Sequence, residues 1–304
     1  MRTLTNVFFL NLTFGDLMVT CICVPITLGN YVYSDWIYGE TLCKVTPFLQ
    51  STAVAVSVLS MLSISINRHF AIHEPLRAKI LFSRSRVHMM LGATWLLSLA
   101  TSSPLLAVRS LTSYGIPGVL VARACSEHWD RALLKHGYNL LAFLLLFLLP
   151  LTVMAGLYLK VSLALWSKNR QLFDYKCKQT IKSSQLDRLL LQRRKTVRTL
   201  VLLVALFACS WLPYYVVNAW LDFNLVSAHA SLVNNVVYPL VQLLALSNSS
   251  VNPMVYCFLS SGFRRALSNM CCRRKRGTRR GTTLTARYKC SEDSGVGSVE
   301  TVLS

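Results

Sequence analysis

Six stretches of roughly 20 apolar residues, at 4–30, 43–69, 87–108, 138–165, 199–221 and 232–258, decide most of what this chain can become. A helix rises about 1.5 Å per residue, so each stretch is long enough to cross the ~30 Å hydrocarbon core of a bilayer. Inside lipid every backbone N–H and C=O needs a partner, which a helix supplies within its own segment. The expected fold is all-α, a multi-pass transmembrane helical bundle. Composition agrees, because 53% hydrophobic and 14% charged residues exclude a pair of soluble domains, and exclude disorder over most of the length.

The placement of charge gives the orientation. Lys and Arg number 32 against 12 Asp and Glu, for a net charge of +20. With both termini on the cytosolic side, only Lys44, Arg109, Arg123, Arg131 and Lys135 among the basic residues fall outside, which is the positive-inside pattern. The acids divide differently: Asp35, Glu40, Glu127, Asp130 and Asp222 lie outside, and Asp16 lies within the first stretch. Because the cations follow membrane topology and are not gathered on one folded face, nucleic-acid binding is the weaker explanation of them. No cleavable leader is expected, since the first stretch is too long and lacks a small-residue cleavage site, so it serves as its own insertion signal.

The ten cysteines form no zinc pattern. Cys21, Cys23, Cys209 and Cys257 fall in spans, and Cys177, Cys271, Cys272 and Cys290 in cytosolic segments, which leaves Cys43 and Cys125 on the oxidising side. One disulfide between them would hold the loop after the third stretch over the bundle. Residues 166–198 read as helical extensions of the flanking spans into the cytosol. The bundle is assigned to 1–272, including a short amphipathic surface helix at about 260–270 with Phe263 and Leu267 facing the membrane. Cys271 and Cys272 at its end suit palmitoylation, or are plain free thiols. Residues 273–304 read as a disordered cytoplasmic tail, in which serines and threonines alternate with Glu292, Asp293 and Glu300, suited to receptor kinases and arrestin or simply solvated.

Polar groups inside spans are costly and therefore informative. Asp16, Ser57, Asn248, Ser249 and Asn252 form either an oxygen cage for a small cation such as sodium or a hydrogen-bonded packing cluster. Pro25, Pro104, Pro150, Pro213 and Pro253 each remove one backbone hydrogen bond within an apolar stretch, and each predicts a kink. His69 and His73 have the i, i+4 spacing of a metal pair but lack a third ligand. No nucleophile elbow, P-loop or dinucleotide fingerprint appears, so no enzyme is expected. The sequons at Asn11 and Asn248 lie inside spans and are unusable.

SINRHFAIHEPL after the Cys43 stretch, FACSWLP at 207–213 and NSSVNPMVY at 248–256 together resemble the rhodopsin-like (class A) G-protein-coupled receptors. The family's second helix carries LxxxD, matched by Leu12 to Asp16. Its third opens on the disulfide cysteine, matched by Cys43, and closes on an acid-Arg-Tyr triplet, matched imperfectly by Asn67, Arg68 and His69. Trp95 matches the lone Trp of the fourth helix, and Pro150 with Tyr158 matches the fifth. Cys209, Ser210, Trp211 and Pro213 match the altered CWxP of the sixth, and Asn252, Pro253 and Tyr256 match the NPxxY of the seventh. The family has seven helices and this stretch shows six; the first helix and the extracellular N-terminus are missing from it. A fragment or truncated gene model is expected, retained in the endoplasmic reticulum, with Asn11 and Ser247 near the seam where the first helix would pack; the alternative is an authentic six-span product.

The resemblance implies that an extracellular ligand shifts the bundle and admits a heterotrimeric G protein, with Arg68, Tyr158, Phe207, Trp211, Pro213 and Tyr256 as switch residues and Val58 and Pro150 beside Phe207. The family usually has an acid beside this Arg, and the chain departs from it with Asn67, so Arg68 is expected to be tethered at most by a neutral hydrogen bond, weaker than an ionic one. Amine receptors of the family carry an Asp where this chain has Gln50, so an amide-bearing peptide fits better than a monoamine. The run CKVTPFLQSTAV from Cys43 resembles the receptors for RFamide-type neuropeptides, including pyroglutamylated RFamide and neuropeptide FF, which implies an amidated, Arg-containing peptide. Gln50, Glu127, Asp130, Trp211, Asp222 and Gln242 are the expected ligand contacts, with Asp222 receiving the peptide Arg; as an alternative the acids are solvated loop residues. The rival readings are a six-span transporter or channel conducting past Asp16, Asn248 and Asn252, and a ligand-independent, constitutively signalling receptor.

Overall fold

The computed structural model describes residues 2–33, 35–116, 120–178, 184–224, 227 and 229–259. Six helical segments are long and apolar enough to cross a membrane: Val7–Tyr33, Gly39–His73, Arg84–Val108, Ala132–Ala164, Val197–Phe223 and Ala230–Val255. The second is the axis of the bundle. Its most apolar window is 67% buried, against 17–39% for the other five, and it packs on the first, third and fourth spans. Buried Phe8, Leu12, Val58, Met61, Ile64, Phe147, Met154, Leu203 and Phe207 interlock as the core. Phe14, Leu96, Leu133 and Leu240 lie exposed, as apolar side chains facing lipid do without penalty.

Three spans widen into a single π turn, at Val19–Cys23, Leu144–Leu148 and Val233–Val237. Each turn ends two residues before a proline: Pro25, Pro150 and Pro239. The residue preceding each proline donates its N–H five residues back, Val24 to Val19 O, Leu149 to Leu144 O and Tyr238 to Val233 O. Proline has no N–H to close the ordinary i to i−4 bond, and the freed carbonyl allows the wider turn. Pro25 and Pro150 were expected to kink helices; here they also shift helical register by one residue. Pro104 acts differently and starts a new helix, Pro104–Val108, after the break at Ser103. Pro213 and Pro253 remain inside continuous helices, Ser184–Phe223 and Tyr238–Leu259. The backbone is helical from Leu149 to Lys178 and again from Ser184, as expected of extensions into the cytosol.

Two strands were not foreseen. β1 (Arg109–Ile116) and β2 (Leu120–Glu127) form an antiparallel hairpin with Arg109 opposite Glu127 and Leu111 opposite Cys125. The Cys43–Cys125 disulfide ties β2 to the outer end of the second span, as the cysteine placement predicts. Trp36 N donates to Arg123 O at 2.7 Å and Arg123 N donates to Asp35 Oδ1 at 2.6 Å, which anchors the outer edge of β2 to the turn between the first two spans.

Asn11 corrects an expectation. It does not face an open seam: its Nδ2 donates to Ser60 Oγ at 2.8 Å and its Oδ1 accepts from Trp95 Nε1 at 2.9 Å, joining the first three spans. Ser247 is exposed and bonds only its own helix, to Leu244 O at 2.7 Å. The surface helix, Phe263, Leu267, the Cys271 and Cys272 pair and the tail lie outside the described residues.

Candidate functional site

A cavity of about 630 Å³ opens at the outer end of the bundle beneath the hairpin. All three π turns border it. Thr27, Asn30 and Tyr31 follow the first, Tyr138, Asn139, Ala142 and Leu146 precede or lie in the second, and Asn234 and Asn235 lie in the third, with Tyr238 directly after. The one-residue shift rotates the flanking half-helix by about 100° relative to a regular one, so these turns help decide which side chains point inward. β2 contributes Arg123, Ala124, Cys125 and Glu127.

The lining is rich in primary amides and phenols: Asn30, Gln50, Asn139, Asn218, Asn234, Asn235 and Gln242 alternate with Tyr31, Tyr138, Tyr214, Tyr215 and Tyr238. Amides offer both donors and acceptors and carry no charge, so this wall matches the peptide groups of a ligand better than a lone ion. Tyr31 Oη donates to Gln242 Oε1 at 2.5 Å, orienting the amide across the first and sixth spans. Trp211 forms part of the floor and is buried; its ring lies 5.6 Å from Tyr214 and 6.3 Å from Phe207. Phe207 in turn lies 5.8 Å from Phe147, in the core cluster that includes Val58. Pro150 is also buried.

The expected acids are distributed unevenly. Glu127 lines the cavity but is held by Arg109, Nη2 to Oε1 at 2.5 Å. Asp222 is not on the lining. Its carboxylate, 4% exposed, is met by Lys135 Nζ at 2.7 Å and by Asn139 Nδ2 at 2.7 Å, across the outer ends of the fourth and fifth spans. Asp130 is exposed and likewise off the lining. Of the six expected ligand contacts the cavity thus gathers Gln50, Glu127, Trp211 and Gln242.

Halfway down the bundle, fully buried Asp16 accepts from Ser57 Oγ at 3.2 Å and Asn252 Nδ2 at 3.4 Å, both on Oδ1. Gly15 makes this possible: a Cβ there would approach Ser57 Oγ to 3.2 Å and Ala53 O to 3.3 Å, so a larger residue would push the first span off the second. Asp16 Oδ2, Asn248 Oδ1 and Asn252 Oδ1 are buried without hydrogen-bond partners. Three orphaned acceptor oxygens from two spans fit a small hard cation, which takes oxygen ligands. No cluster of three His, Cys, Asp or Glu able to hold a metal occurs among the described residues, and the rings of His69 and His73 lie 4.6 Å apart, tilted by 33°.

Toward the C-terminal end of the second span Asn67 is buried beside Arg68, and no ion pair or hydrogen bond joins the two. Arg68 Nε has no partner, and no acid among the described residues pairs with its guanidinium. Tyr158 Oη meets Ser65 Oγ at 2.5 Å, one turn from Arg68. Tyr256 continues the last helix; its side chain lies outside the described residues.

Residues 1–256 match the family described as 7 transmembrane receptor (rhodopsin family). The chain belongs to this family. It is 31% identical over 274 residues to the pyroglutamylated RF-amide peptide receptor of Rattus norvegicus, covering 90% of this chain and 63% of that receptor. It is 32% identical over 278 residues to the QRFP-like peptide receptor of Branchiostoma floridae, covering 89% and 69%, and 31% identical over 266 residues to galanin receptor type 1 of Rattus norvegicus, covering 87% and 71%. The chain thus spans under two thirds of the length of the first of these. Membership makes it a multi-pass membrane protein of a receptor family, not an enzyme, and leaves the transporter reading without a basis.

Sequence reasoning found Gln242 but missed the tyrosines, Asn234 and Asn235 of the sixth span, and the pair Arg109 and Arg123. Tyr214 and Tyr215, three and four residues after Trp211, share its helical face and were legible from spacing. Asn234 and Asn235 were not, because a π turn breaks the 3.6 period on which such readings rest.

Proposed function

We propose that this protein is a plasma-membrane receptor for an extracellular neuropeptide, with its C-terminus in the cytoplasm, and that it signals through a heterotrimeric G protein. The observation that carries this is the outer cavity, whose amides and phenols answer peptide N–H and C=O groups and which presents Gln50 where an amine would need an acid. The names of the similar receptors support a peptide.

A peptide seated on Trp211 bears on Phe207 and Phe147 through ring contacts that reach the buried core. Two packings of that cluster, with the fifth span swinging at Pro213, give the bistable element that ligand binding biases. Arg68, Tyr158 and Tyr256 then serve the G-protein face, with Asn67 and His69 framing Arg68. Sodium held by Asp16, Ser57, Asn248 and Asn252 would favour the inward packing, since outward movement disperses its oxygens. Cys271 and Cys272 as lipid anchors, and the tail as substrate of a receptor kinase and then arrestin, complete the reading.

An amidated, Arg-containing peptide of the RFamide type is the finer assignment, drawn from the relatives. Asp222, the acid expected to receive its Arg, is already engaged by Lys135, so the peptide Arg reaches it by displacing that Lys. The test is a G-protein dissociation reporter in cells expressing the protein, challenged with a panel of amidated neuropeptides. A response that disappears in Trp211→Ala and Arg68→Ala at equal surface level is expected. A response to monoamines and to no peptide would overturn the reading.

A further inference from the structure

Charge in the outer cavity is unbalanced. Its charged lining residues are Arg109, Arg123 and Glu127, two guanidiniums against one carboxylate. Glu127 has its charge already paired with Arg109. Its Oε1 accepts from Arg109 Nη2 at 2.5 Å and its Oε2 from Trp129 Nε1 at 3.1 Å, and the hairpin register holds Arg109 opposite it. Arg123 is the reverse case. Its backbone is clamped on both sides, by Asp35 Oδ1 at 2.6 Å and by the N–H of Trp36 at 2.7 Å, while its exposed side chain enters no ion pair among the described residues. Asp35, the acid beside it, spends Oδ1 on the Arg123 N–H and is not on the cavity lining; of the other outer acids Glu40 pairs with Lys44, Asp222 pairs with Lys135 and Asp130 is exposed, and none of the three lines the cavity.

We infer that Arg123 is an anion-recognition residue of the ligand cavity, and that the peptide carries an oxyanion, from an acidic side chain or a free C-terminal carboxylate, which docks on its guanidinium. A guanidinium presents paired N–H donors whose spacing matches the two oxygens of a carboxylate, and such charge-assisted pairs are about twice as strong as neutral hydrogen bonds. With the Arg123 backbone fixed at both N–H and C=O, the side chain loses less freedom on binding than it would on a free loop. On the cavity lining a ligand cation meets one unpaired like charge and a single acid, Glu127, which Arg109 already holds. This inference rests on the peptide reading and adds the chemical group that the peptide must offer.

The probe is a positional-scanning library of hexapeptides carrying an uncharged BODIPY label, with binding measured on the full protein in lipid nanodiscs. One arm compares Glu with Gln at each position in C-terminally amidated peptides. The second compares free acid with amide in peptides lacking acidic side chains. The expected result is a preference of roughly tenfold or more for the oxyanion in one arm, since a hydrogen bond to a charged group contributes about 1.5–3 kcal/mol. Which arm shows it identifies the source. Arg123→Gln should bind Gln-containing or amidated members as the parent does and lose the preference, Arg123→Lys should keep part of it, and Arg123→Glu should reverse it toward Lys-containing members. Equal binding of acid and neutral members, or a parental preference for cationic ones, overturns the inference and leaves the peptide reading standing. Binding of no member overturns both.

Discussion

The Lys135–Asp222 pair makes a prediction in which the two partners are not equivalent. The Asp222 side chain is 4% exposed and that of Lys135 is 30% exposed. In Lys135→Gln the buried carboxylate keeps one strong donor, Asn139 Nδ2 at 2.7 Å, with His136 Nδ1 at 3.7 Å. Removing one partner of a buried pair costs about 3–5 kcal/mol; the Asn139 bond and the exposed Lys end reduce this to about 2 kcal/mol here. Asp222→Asn leaves instead a Lys whose four-carbon stem carries its charge to water, so the loss is nearer the ~1 kcal/mol of an ordinary hydrogen bond. Lys135→Gln with Asp222→Asn removes both charges, and the double variant should be more stable than Lys135→Gln alone. The assay is unfolding in mixed micelles by denaturing detergent, followed by tryptophan fluorescence. Equal losses in the two single variants, or a double variant that simply adds them, would refute the reasoning. The same cycle has a functional reading: an Arg-containing agonist that must displace Lys135 should gain potency in Lys135→Gln.

Three further outcomes are expected. Asn67→Asp should place an acid beside the unpaired Arg68 and lower ligand-free signalling several-fold at matched surface expression, about 1 kcal/mol toward the inactive packing; unchanged or raised basal output contradicts it. In membranes, replacing NaCl with an organic-cation chloride should raise agonist affinity in the parent but not in Asp16→Asn, whose amide offers a donor where the cation needs an anionic oxygen; an Asp16→Asn response equal to the parent's would remove sodium from this site. Truncation after Cys272 should spare G-protein activation and reduce agonist-driven arrestin recruitment, measured by proximity luminescence, and full recruitment by the truncated form would dismiss the tail's role.

Local physics made the spans legible, because a bilayer demands long apolar helices whose backbone bonds close within the segment. Compartment chemistry likewise paired Cys43 with Cys125, and buried charge singled out Asp16 before any neighbour was known. These are properties of a residue and its solvent, readable along the chain.

The partners of each polar group came only from the tertiary structure. Asn11 looked like a seam residue and proved to bridge Ser60 and Trp95, since the face a helix turns to its neighbours depends on those neighbours. Glu127 and Asp222 were both legible as outer acids, yet the hairpin register commits one to Arg109 and the approach of two helix ends commits the other to Lys135. A sequence counts charges; whether a charge is free for a ligand depends on which opposite charge the fold brings within about 4 Å of it. The cavity wall escaped for a related reason, because the π turns at Val19–Cys23, Leu144–Leu148 and Val233–Val237 shift the helical register and so change which residues face inward.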